Sequence, residues 1–107
     1  MKKTVIGLIE TVKINGKEVL ARIDTGAEYS SIDESLAEEL ELGPVIREIK
    51  IRSASGKTRR PIIKTKLEIK GKILESEFNL ANRKHMKYKI LVGQDILKDG
   101  FLIDPEK

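Results

Sequence analysis

The sequence predicts a small, mostly β domain with one or two short helices, and three observations carry that expectation. Turn-forming residues recur at short intervals along the 107 residues, apolar and charged positions alternate between them, and only one longer stretch has a helical period. Thr4 to Lys13 is a strand through Val5, Ile6, Leu8, Ile9 and Val12, and Asn15-Gly16 then gives the strongest two-residue hairpin signal before a returning strand from Glu18 to Ile23. Ile32 to Leu42 reads as a short amphipathic helix. Ile32, Leu36 and Leu40 recur on one face with Ala37 beside them, Asp33 and Glu34 occupy the first turn, and Gly43-Pro44 ends it. Ser30 and Ser31 are the expected cap. Val45 to Ala54 is the next strand, Ser55-Gly56-Lys57 a turn, and a second extended run begins near Pro61. Thr65, Leu67 and Ile69 alternate with Lys66, Glu68 and Lys70 before Gly71 turns the chain into Ile73 to Leu80. Ala81 to Tyr88 is a loop, Lys89 to Val92 a short strand stopped by Gly93, Gln94 to Lys98 one helical turn, and Phe101 to Ile103 a final strand. The total is about eight strands.

Composition bounds the function. A chain of this length is expected to form one domain, 1–107, and buries only about 60 to 65% of its unfolded surface, so self-association is a natural way to enlarge its core. With no cysteine there is neither a disulfide framework nor thiol chemistry, and the single His85 cannot build a histidine-rich metal site, so no metal and no cofactor are expected. No apolar run approaches the roughly 18 residues of a membrane span, and Met1-Lys2-Lys3 leads directly into a strand; no membrane association and a cytoplasmic location are expected. Charge is uneven: eight bases against ten acids lie before Gly56, thirteen against seven from there on. The one dense basic run, Lys57-Thr58-Arg59-Arg60, lacks interleaved aromatics for base stacking, which argues against nucleic acid as a partner. The acids of the helix, Glu34, Glu38, Glu39 and Glu41 among them, read as its solvated face.

Two segments exceed what a plain β domain needs. Ile23-Asp24-Thr25-Gly26-Ala27 puts an acid directly after an apolar strand, and Ile90-Leu91-Val92-Gly93-Gln94-Asp95-Ile96-Leu97 is an apolar strand stopped by glycine and followed by a helical turn. Alone, Asp-Thr-Gly is an ordinary turn composition. In this order the pair resembles the retropepsin-type aspartic peptidases. In its finer features (Ser53-Ala54-Ser55-Gly56, Arg60-Pro61-Ile62-Ile63, Asn82-Arg83, Met86-Lys87-Tyr88, Phe101-Leu102-Ile103-Asp104) the chain resembles a small bacterial and archaeal family labelled "ATP-dependent zinc protease". The resemblance implies a retropepsin-like closed β-barrel, a single acid-protease lobe, working as a two-fold homodimer on a peptide or protein substrate. It implies Asp24, Thr25 and Gly26 as the catalytic set, with Ala27, Glu28 and a Ser55-Gly56-Lys57 flap against substrate. The label itself finds no support in the residues. No His-Glu-x-x-His occurs, and Ser55-Gly56-Lys57-Thr58 copies the end of a phosphate-binding loop whose first glycine position holds Ile51.

The aspartic mechanism needs two carboxylates sharing a proton, one acting as base on water while the other donates to the substrate carbonyl. One Asp-Thr-Gly per chain therefore requires Asp24 from each of two copies. Gly26 lets backbone approach that carboxylate and donate to it, and Gly93 lets the second segment pass close behind. Where the family usually has arginine, this chain has Gln94, so the ion pair to an acid at the Glu28 position is replaced by at most a neutral-to-charged hydrogen bond. Two other readings stand beside the peptidase: a catalytically silent dimeric peptide-binding or assembly module of the same fold, and a basic nucleic-acid module using Lys57, Arg59 and Arg60.

Overall fold

The computed structural model describes residues 2–53 and 56–107. Among them are nine strands and two helices: β1 Thr4–Ile6, β2 Ile9–Ile14, β3 Lys17–Ile23, β4 Ser31–Asp33, α1 Glu34–Glu39, β5 Val45–Ser53, β6 Gly56–Ile69, β7 Lys72–Ala81, β8 Ile90–Val92, α2 Gln94–Leu97 and β9 Phe101–Ile103. The main sheet runs β2-β3-β8-β4-β7-β6-β5, and β2 also pairs with β6. That extra pairing closes six strands into a barrel and leaves β5 as an outer arm on β6. The expected mostly β closed barrel with two short helices is the architecture observed.

Two tight turns set the register. Asn15 and Gly16 take φ of 47° and 82°, the left-handed pair that a type I′ turn requires, and close Ile14 onto Lys17. Lys70 and Gly71, at 51° and 79°, do the same between Ile69 and Lys72. Alternation then buries one face: Leu67 and Ile69 point inward while Lys66 and Lys70 face solvent. The barrel is filled mainly by β-branched residues (Ile14, Ile32, Ile63, Ile69, Ile90, Val92) around Phe78, side chains that pack well on a pleated surface.

Three expectations are corrected. The first apolar run is two strands rather than one, because the chain breaks at Gly7: its N–H donates to Glu10 Oε2 at 2.7 Å, and a Cβ there would stand 2.7 Å from the Lys107 carbonyl oxygen. β1 consequently leaves the barrel and pairs in parallel with β9. The helix begins at Glu34 rather than Ile32, since residues 31–33 are captured as β4 between β7 and β8. Its cap is Asp33, which accepts from the Leu36 N–H at 3.3 Å, in place of Ser30 and Ser31. Finally, the second arm of the long hairpin starts at Gly56 instead of near Pro61. Gly56 and Lys57 are strand residues paired with Ser53 and Arg52, while the expected turn residue Ser55 lies outside the described residues.

Candidate active site

β3 and β8 run parallel, with Ile23 beside Val92, and the next residue after each pair is a motif residue. Asp24 N–H donates to Val92 O at 2.9 Å, which fixes where the acid leaves the sheet. Its side chain is half-buried, and Oδ1 accepts the Gly26 N–H at 2.9 Å; a Cβ on Gly26 would lie 3.2 Å from that oxygen. Thr25 and Gly26 face solvent at the loop tip.

The second segment braces this loop from behind. A Cβ on Gly93 would sit 2.7 Å from Ala27 O and 2.8 Å from Tyr29 O, distances no side chain tolerates, so the close pass depends on glycine here. Gln94 N–H donates to Ala27 O at 2.8 Å, and Gln94 Nε2 to Thr25 O at 2.7 Å. The expected Gln94 to Glu28 hydrogen bond is therefore replaced by a side chain-to-backbone tie, and Glu28 stands exposed at the rim of the cleft. Asp95 takes up Ser30: the fully buried hydroxyl donates to Asp95 Oδ1 at 2.6 Å and accepts the Gly93 N–H at 2.9 Å, while Ser30 N–H reaches Asp95 Oδ2 at 3.2 Å. Asn79, 1% exposed, continues the network, with Nδ2 donating to Ser30 O and Oδ1 accepting from Ser31 and from Arg60.

Beside the Asp24 loop opens a cleft of about 490 Å³, lined by Ala27, Glu28, Tyr29, Ser31, Asn79 and Leu91 on one side and by Lys50, Ile51, Arg52 and Arg60 of the hairpin arms on the other. Arg83 enters it from the loop after β7, held by its N–H to Asp33 Oδ1 at 2.8 Å and its Nε to Tyr88 O at 3.0 Å. Burial and then the neighbouring Arg60 guanidinium push Arg83 below its ordinary value, with Arg22 acting the same way and Asp33 and Asp24 opposing. Among the described residues no carboxylate forms an ion pair with Lys50, Arg52, Arg60 or Arg83. These four cations were not foreseen together as a site. Arg60 and Asn82-Arg83 stand out in the sequence as parts of a family-like pattern, but their convergence depends on the fold. Of the residues expected to meet substrate, Ala27 and Glu28 line the cleft, Gly56 and Lys57 sit at the exposed end of the hairpin, and Ser55 lies outside the described residues.

Comparison with known proteins bears on the fold and the family. Solved structures of the same fold include Lpg0085 of Legionella pneumophila, a protein of unknown function (TM-score 0.72, 20% identity, 97% of this chain and 95% of that one). They also include EIAV protease complexed with the inhibitor HBY-793 (0.72, 22%, 85% of each chain) and the simian foamy virus protease (0.66, 19%, 84% and 91%). A curated relative, "Probable alpha-L-glutamate ligase" of Desulfotalea psychrophila, is 35% identical over 63 residues, 58% of this chain; the matched part spans 14% of that relative's length. Residues 33–107 match the RimB-like family, described as retropepsin-like aspartic endopeptidase RimB, a description into which neither zinc nor ATP enters. The match covers Gly93, Gln94 and Asp95 and begins after the Asp24 loop. On that match, and with the barrel of the viral proteases, the chain belongs to the RimB-like family of retropepsin-like aspartic endopeptidases.

Proposed function

We propose that the chain, as a single domain, is a homodimeric aspartic endopeptidase in which the Asp24 carboxylates of two copies activate a water between them. The observation that carries this reading is the Asp24 loop itself: a half-buried carboxylate with one oxygen anchored by the Gly26 N–H, on a loop fixed from behind by Gly93 and Gln94. One carboxylate takes the proton from water as it attacks the peptide carbonyl, the other donates to the carbonyl oxygen, and the pair then returns a proton to the leaving amine. The surface beside the loop is suited to a second copy. Val5 and Leu102, partners in the two-stranded β1–β9 sheet, are 37% and 51% exposed, and Leu8, which accepts from Ile23 N–H, and Ile9 are also open. A two-stranded sheet is marginal alone and gains from being extended or covered.

The unpaired cations of the cleft favour acidic segments as substrate, with Arg60 and Arg83 offering planar donors to carboxylates. The likeness to a protein named as a glutamate ligase supports the same chemistry. The test is cleavage of a diverse peptide library from pH 3 to 8 by wild type and Asp24→Asn at concentrations that hold the dimer. Cuts by wild type alone, enriched in acidic peptides, are expected. Equal cutting by both proteins refutes the mechanism, and silence from both favours the binding module.

A further inference from the structure

The Thr25 carbonyl and the Gly26 N–H are the two ends of one trans peptide group, and each end is held. The N–H donates to Asp24 Oδ1 at 2.9 Å, while the carbonyl accepts Gln94 Nε2 at 2.7 Å. In a trans peptide these groups point in opposite directions, so the Gln94 amide stands behind the peptide whose front faces the carboxylate. A donor on the carbonyl oxygen polarises the amide, strengthens its N–H as a donor, and resists rotation of the peptide plane. The peptide needs such a brace: Thr25 and Gly26 are exposed at a loop tip, and loop backbone is mobile unless tied down. Gln94 is itself exposed and is the first residue of α2, whose start is capped by no side chain, so the glutamine amide serves neither the core nor the helix end.

We propose that Gln94 is a positioning residue for the Asp24 carboxylate, acting through the Thr25–Gly26 peptide. The inference rests on the reading of Asp24 as the catalytic carboxylate.

Gln94→Met keeps the chain length and removes the donor, and Gln94→Arg returns one. Two readouts apply: hydrogen exchange at the Gly26 amide in the folded protein, and kcat and KM on a quenched peptide built around a bond that the wild type cuts. Loss of one ordinary hydrogen bond corresponds to about five-fold. Gln94→Met is expected to speed Gly26 exchange by about that factor relative to the Ile23 amide, which is held by Leu8 O, and to lower kcat similarly with KM unchanged. Gln94→Arg restores both. Unchanged Gly26 exchange in Gln94→Met overturns the proposal, as does a kcat loss that vanishes at higher protein concentration, which assigns Gln94 to subunit assembly. The exchange readout needs no peptidase activity, so its failure is separate from failure of the catalytic reading, which Asp24→Asn tests.

Discussion

Gly93 and Ser30 hold the two motif segments together by opposite means, one by having no side chain and the other by burying a polar one. A methyl group on Gly93 meets two backbone carbonyl oxygens that cannot rotate away, so Gly93→Ala is expected to cost about 1–3 kcal/mol, the usual range for overpacking, seen as a lower denaturation midpoint in urea. Ser30→Ala keeps the volume but leaves the half-buried Asp95 Oδ1 and the buried Gly93 N–H without their partner; a loss of about 1–3 kcal/mol is expected in the same measurement. The need for Gly93 was legible in the sequence, since a glycine ending an apolar strand behind the Asp-Thr-Gly loop implies a close pass. The role of Ser30 was not. A serine just before an apparent helix looks like a cap, and only the pairing of residues 31–33 with β7 and β8 moves the helix start to Glu34 and gives the cap to Asp33.

Hairpins show how far local chemistry reaches. Asn15-Gly16 forms the turn its composition calls for, and Gly71 turns the chain where the alternating run ends, because positive φ is a local demand that local residues satisfy. The split of the first strand was hidden, since the contact that constrains Gly7 comes from Lys107 at the far end of the sequence. The cationic cleft was hidden for the same reason: Lys50 and Arg52 come from β5, Arg60 from β6 and Arg83 from the loop after β7, and only the fold brings them into one cleft with Ala27 and Glu28. Read in sequence they are solvated strand charges. If they hold acidic substrate side chains, Arg60→Gln and Arg83→Gln each raise KM for acidic peptides by about ten- to a hundred-fold, a loss of one charged hydrogen-bonded contact, with little change in kcat. The wild-type advantage also shrinks as salt screens the cleft. Steady-state kinetics at two ionic strengths checks both outcomes.

As a whole the molecule is one closed barrel carrying one Asp-Thr-Gly loop, and the chemistry assigned to it needs two. The barrel closes through the β2 to β6 pairing, leaving the β1–β9 sheet and the Asp24 loop tip outside it and open to a second copy. A shared site makes a demand that no single-chain site makes: one inactive copy must silence its active partner. The most direct measurement is therefore peptide cleavage by a fixed amount of wild type, at concentrations that hold the dimer, as Asp24→Asn protein is added and the subunits exchange. With a nine-fold excess of the variant, random pairing lowers activity to about one tenth of that of wild type alone. Activity that stays constant throughout the titration would show that one copy works without the other's Asp24, and the two-carboxylate account would be wrong.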